Sequence, residues 1–174
     1  LRPAAVRIRD LPPGDVVARA MSTSTDAVDA TLSGLDRQVF EDAVTLLADP
    51  TRRVAVIAGD AGAGIAGHAG DELRMLRSQV EVISGTPVAV GLSIARLDPG
   101  DVVLALDLRR YDRWLLQAVD HAVGEGAELV ALTDGPLSPL ARLSRRLLVV
   151  EGDGIGPFDN YVGALALLSA LVAA

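Results

Sequence analysis

From residue 54 onward the chain alternates short, continuous apolar runs with longer segments whose apolar residues recur at helical spacing. Val54–Ala58, Val80–Ile83, Val102–Leu106, residues 129–132 and residues 147–150 are the apolar runs, and each ends at or near glycine, serine, threonine or aspartate. Between them, Ile65, Ala66, Ala69, Leu73 and Leu76 repeat on one side of a helix, and residues 114–123 form a second helix ended by Gly124-Glu125-Gly126. Residues 137–143 read as a short helix, and residues 161–174 as an apolar final one. The stretch through Pro87 and Leu92 has a looser texture and leads to the turn at Asp98-Pro99-Gly100. Short apolar strands separated by amphipathic helices predict βαβ units around a parallel sheet buried on both faces. With right-handed crossovers, the expectation is a three-layer, doubly wound, five-stranded α/β domain with flavodoxin-like strand order.

The region before residue 54 differs. Residues 1–20 carry Pro3, Pro12, Pro13 and Gly14 among scattered arginines, which predicts a connector, and residues 22–33 suit a short helix. Asp36 offers an N-cap, with Leu35 and Phe40 placed as a hydrophobic staple, and Asp49-Pro50 stops that helix. The expected organisation is therefore a connector and helical segment over residues 1–34 and one domain over residues 35–174. The chain begins at Leu1 rather than Met and reads as a piece of something longer.

Composition narrows the chemistry. Half of the 174 residues are hydrophobic but only 3% are aromatic, so Ala, Val, Leu and Ile must build the core. A net charge of −7 disfavours nucleic-acid binding by this segment. Every basic residue is arginine, which removes a P-loop or Schiff-base lysine, and the absence of cysteine removes disulfides and thiolate metal sites. With only His68 and His121, no metal site and no cofactor are expected. The uncharged run at residues 161–174 has 14 residues, short of the roughly 20 that span a bilayer, so no membrane contact is expected and the cytoplasm is the expected compartment.

In a sheet of this type, ligands sit beyond the carboxyl ends of the strands, where the strand order switches. The loops after Val54–Ala58 and Val102–Leu106 are thus the candidate site. The first contains Asp60 and Gly62 within Ala-Gly-Asp-Ala-Gly-Ala-Gly-Ile-Ala-Gly; its glycines could expose backbone N–H groups to an anion or simply pack a helix on a strand. Gly62, Gly64 and Gly67 also satisfy GxGxxG. However, Gly62 lies four residues beyond the strand, and the second strand ends in Ser84-Gly85 without the ribose-binding acid of a dinucleotide site. The second loop reads Asp107-Leu108-Arg109-Arg110-Tyr111-Asp112-Arg113, in which the arginines suit phosphate or carboxylate and Asp107 would repel either. A solvated helix start, with Asp107 or Asp112 capping, explains the same residues. Thr133 and Asp134 follow the fourth strand, and Ser138-Pro139 fits an N-cap with proline at the first helical position. His68 and Glu72 share a helix face, a spacing commoner for surface pairs than for catalytic dyads.

These features resemble the sugar isomerase (SIS) domain, specifically that of RpiR-type transcription regulators. The resemblance runs from about Leu35 to the end. It rests on the strand–glycine loop–helix from Val54 to Leu76, the Asp-Val-Val opening of the third strand, Ala131-Leu132-Thr133-Asp134 and Leu137-Ser138-Pro139-Leu140-Ala141. Gly156-Pro157-Phe158-Asp159 before the final helix looks like a subgroup of these regulators. The resemblance implies a homodimer that senses a sugar phosphate or related small acid, with DNA bound only through a helix-turn-helix domain absent from this chain. It implies ligand contacts from Asp60, Gly62, Asp107, Arg109, Arg110, Thr133 and Ser138 and no catalytic residue. In the family a serine in the first loop and a Ser-x-Ser-Gly turn after the third strand hold the phosphate; here those positions carry Gly62 and Asp107-Leu108-Arg109-Arg110. Thr133 and Ser138 match; the two serine sites do not. The alternative is a sugar-phosphate aldose–ketose isomerase of the same fold, with Glu72 as base.

Overall fold

The computed structural model describes residues 14–174. The first described helix, α1 (Val16–Ser33), is capped by Asp15, whose carboxylate accepts the Ala18 N–H at 3.0 Å. The helix therefore begins inside the stretch expected to be a connector. Scattered serine and threonine along it blur the apolar periodicity, but an aspartate cap and tertiary packing fix its start. Proline-bearing residues 1–13 lie outside the described residues. Helix α2 (Arg37–Ala48) starts as expected at Asp36, which accepts from Gln38 and Val39. Leu35 and Phe40 both pack against the core.

Five strands follow: β1 (Val54–Ala58), β2 (Val80–Ile83), β3 (Val102–Leu106), β4 (Glu128–Thr133) and β5 (Arg146–Val149). All pair in parallel, in the order β2-β1-β3-β4-β5. This is the flavodoxin-like arrangement expected from the alternation, with the switch in strand order between β1 and β3. β1 and β3 are buried along their whole length. Their side chains divide between two cores: Val54, Val56, Ala58, Val102, Leu104 and Leu106 face one, and Ala55, Ile57, Val103 and Ala105 face the other. That division is the two-residue period of a strand covered on both sides.

Helices α2, α3 (Ala63–Leu76) and α6 (Val162–Ala173) cover the first face. Helices α4 (Pro87–Ile94) and α5 (Arg113–Gly124), with a 3-10 turn at Leu140–Leu143, cover the second. α6 is apolar almost all round because the sheet lies on one side and α1 on the other. Its Gly163 packs against Thr31 and Ala27 of α1. α4 replaces the loose stretch expected after β2. Thr86 caps it and Pro87 opens it, a strong start signal on a helix too short to show periodicity. The helix expected at residues 137–143 contracts to the 3-10 turn, and Leu137 is 90% exposed. Leu76 is also exposed rather than on the buried side of α3.

Candidate functional site

The parallel ladder extends just past the strands, with Gly59 N–H donating to Leu106 O and Asp107 N–H to Leu132 O, both at 3.1 Å. The loops after β1 and β3 therefore leave the sheet side by side, and carboxylates stitch them together. Asp60 N–H donates to Asp112 Oδ2 at 2.7 Å, and Asp112 N–H donates to Asp107 Oδ2 at 2.8 Å. Gly59 lies so close that a Cβ there would sit 2.6 Å from Asp107 Oδ1 and 2.7 Å from Asp112 Oδ2. Asp112 precedes α5 as an N-cap residue but makes no capping bond with its side chain, which turns instead to Asp60. The protein's own carboxylate thus takes a backbone donor of the first loop that an anionic ligand could use.

Asp107 is buried, and burial pushes its carboxyl up to about 6. The neighbouring Asp112 and Asp134 charges add to the rise, while N–H groups of Asp112 and Leu108 oppose it. Tyr111 donates to Asp134 Oδ1 at 2.7 Å, and Thr133 Oγ1 donates to the same oxygen at 3.1 Å. Burial and then the surrounding carboxylates push Tyr161 up to about 12.

The seven expected contacts separate into distinct environments. Asp60 is exposed, and its N–H is taken by Asp112. Gly62 is buried in a 3-10 turn, where an added Cβ would lie 3.3 to 3.5 Å from Ala58, Leu106 and Tyr161; this glycine packs helix on strand. Gly64 and Gly67 have nothing within 4 Å at that position, so no close backbone approach explains the GxGxxG match. Thr133 is buried beside Asp134, and Ser138, also buried, accepts the Ala141 N–H at 3.1 Å in the cap role expected of it. Arg109 adopts a left-handed backbone, φ 55°, and pairs with Asp153 and, at 3.8 Å, with Asp159. Arg110 reaches Asp159 at 3.4 Å.

Asp153 and Asp159 belong to the β5–α6 loop, and their role with the arginines was invisible in the sequence, since the partners lie more than 40 positions apart. The loops after β1, β3, β4 and β5 together hold seven acids (Asp60, Asp107, Asp112, Asp134, Glu151, Asp153 and Asp159) against Arg109 and Arg110. The carboxyl end of the sheet is accordingly negative. His68 and Glu72 form a 3.4 Å pair on the outside of α3. Glu72 lies nine residues beyond the start of that helix, about 13 Å along its axis at 1.5 Å per residue. A groove of about 470 Å³ runs from Asp60 between α4 and α5, past Trp114 to His121. Among the described residues no cluster of His, Asp or Glu could hold a metal ion, and no helix is long and apolar enough to cross a membrane.

A doubly wound domain with its loops gathered at one switch point defines a class of small-molecule-binding α/β proteins. Residues 51–174 match the SIS domain model, and the chain belongs to that family. It is similar to the sugar isomerase domain of an RpiR transcription factor from Sphaerobacter thermophilus: 26% identity, TM-score 0.82, covering 92% of this chain and 89% of that one. It shares its fold with the Vibrio vulnificus NanR protein, solved with ManNAc-6P, at 22% identity and TM-score 0.80, covering 92% of this chain but 61% of NanR. A phosphoheptose isomerase from Francisella tularensis has the same fold at 18% identity and TM-score 0.73, covering 91% of this chain and 95% of the isomerase. No curated protein sequence matches the chain.

Proposed function

We propose that this SIS domain is the effector-sensing and dimerisation domain of an RpiR-type transcription regulator in the cytoplasm. Residues 1–34 serve as its connector and N-terminal helical segment, and residues 35–174 as the SIS domain. The effector is a sugar phosphate or a related small acid, bound beyond β1 and β3, and DNA is contacted only through a helix-turn-helix domain outside this chain. The observation that carries the reading is the Arg109–Arg110 pair beside the switch point, in a fold shared with an RpiR factor and with a regulator solved with ManNAc-6P. Arginine pairs suit two-pronged recognition of phosphate or carboxylate. The effector pocket is an altered one, since Gly62, Asp107 and Arg109 stand where the family carries serines.

Thermal unfolding with a panel of phosphosugars and sugar acids tests this. A ligand at 100 times its dissociation constant adds about 2.7 kcal/mol of stability, and Arg109→Gln should abolish the gain. A flat response across the panel would leave only a dimerising scaffold. The isomerase reading draws support from the fold shared with a phosphoheptose isomerase. It is disfavoured by the position of Glu72, far along α3 and outside the loops. Turnover of an aldose phosphate that disappears in Glu72→Gln would reinstate it.

A further inference from the structure

The exposed arginine pair already has carboxylate partners within the chain. The Arg109 and Arg110 side chains are 41% and 56% exposed, but the Asp159 side chain that both address is only 6% exposed. Asp153 also holds Arg109. The segment carrying these two aspartates is itself a closed loop: Asn160 N–H donates to Gly152 O at 2.9 Å, Asp153 N–H donates to Glu151 Oε1 at 2.8 Å, and Gly154 is pressed against the Phe158 carbonyl. One side of the loop meets the arginines. The other meets α1, where Glu151 N–H donates to the buried Thr31 Oγ1 at 3.0 Å. Beyond it, Gly154, Phe158 and Asn160 line a cavity of about 350 Å³ with Ala20, Thr23 and Ser24 of α1.

We propose that Asp153 and Asp159 are internal counter-anions that latch the 152–160 loop onto Arg109 and Arg110. An anionic effector group must displace them, and their release unclamps the loop from α1. This rests on the reading of the β3 loop as part of the effector site, and adds to it a competitor and an output. A carboxylate tethered on a short loop acts at an effective concentration in the millimolar range. A free monodentate anion at lower concentration therefore competes poorly. The ligand class that succeeds is a small acid able to engage both guanidiniums and make further contacts at the switch point. The physical path runs through contiguous contacts: guanidinium, aspartate, closed loop, Thr31 and α1. It ends on the helix that leads toward the N-terminal side of the chain.

The test combines amide hydrogen exchange with binding of inorganic phosphate, in the full chain carrying Asp153→Asn and Asp159→Asn together. The expected result is at least tenfold faster exchange over residues 152–161 and 20–31, with β3 and β4 protected as in the parent. Phosphate affinity should rise at least tenfold. Arg109→Gln with Arg110→Gln, on the exposed side of the same clasp, should give the faster loop exchange with no gain in phosphate affinity, and it serves if the aspartate variant does not fold. Unchanged loop exchange in the arginine variant, or unchanged phosphate affinity in a folded aspartate variant, would overturn the latch. The two readings part cleanly. A parent chain that responds to no phosphosugar or sugar acid while its variants loosen and gain phosphate keeps the latch and loses the proposed effector. A parent that binds a phosphosugar with the same affinity and loop exchange as the aspartate variant, while the arginine variant does not bind it, keeps the effector and loses the latch.

Discussion

Asp107 sits at the end of a fully buried strand, and its charge is costly there. Its carboxyl is held at about 6, against an ordinary aspartate value near 3.8, chiefly because burial disfavours the ionised form. Between those two values the folded protein keeps a proton that the unfolded chain has lost. Stability from this group therefore falls as pH rises from about 4 to 6 and stays lowered above that range. Asp107→Asn keeps an oxygen able to accept the Asp112 N–H and removes the charge. It should be more stable than the parent by about 1–3 kcal/mol at pH 8 in urea unfolding, since a shift of one pKa unit corresponds to about 1.4 kcal/mol. The difference should vanish near pH 4, where the aspartate is also neutral. A pH-independent difference would assign the effect to packing instead of charge. Asp107 and the arginines were visible in the sequence as candidates. The raised carboxyl of Asp107 was not, because burial in the folded structure is its main cause, and neither was Asp159, the partner of both arginines, which arrives from another loop.

At the scale of elements, the glycines of α3 separate into two kinds. Gly70 crosses β2 so closely that a Cβ would overlap the Val82 side chain, whereas Gly64 and Gly67 face open space. Gly70→Ala should destabilise the domain by about 1–3 kcal/mol, as overpacking of a tight helix–strand contact does. Gly64→Ala and Gly67→Ala should each be neutral or stabilising by up to about 1 kcal/mol through helix propensity. Chemical denaturation of the three variants checks the contrast. A loss at Gly64 or Gly67 equal to that at Gly70 would contradict this division. Of the GxGxxG glycines only Gly62 is packed against neighbours, and the tightest glycine contact in α3, at Gly70, lies outside that match. Element boundaries followed the same logic. Asp36 and Pro87 carry local signals that work unaided, and α2 and α4 begin where those signals stand. The eight residues of α4 are too few to display a helical period, so only its start is marked in the sequence.

For the molecule as a whole, the two-sided burial of β1 and β3 explains why so few aromatic residues suffice. Small aliphatic side chains fill both thin layers between the sheet and its helices. The proposed homodimer makes a prediction at this scale. Sedimentation should show a dimer that persists at micromolar concentration, and a monomer there would count against it. The net charge of −7 and the seven acids at the carboxyl end of the sheet place negative potential where an acidic effector would enter. In the proposed site, recognition would work through Arg109 and Arg110 locally, against the overall field.

The sequence by itself determined the class of fold and the strand order, and with them the switch point where we propose the site. Those follow from periodicity, from the one hand available to a βαβ crossover and from the location of a switch point, all of which are properties of consecutive residues. Only the tertiary structure decided what the arginines do. An ion pair is set by distance in space, and Asp153 and Asp159 become neighbours of Arg109 and Arg110 only after β5 has been laid beside β4. The same holds for Asp60 and Asp112, which meet because β1 and β3 are adjacent in the sheet.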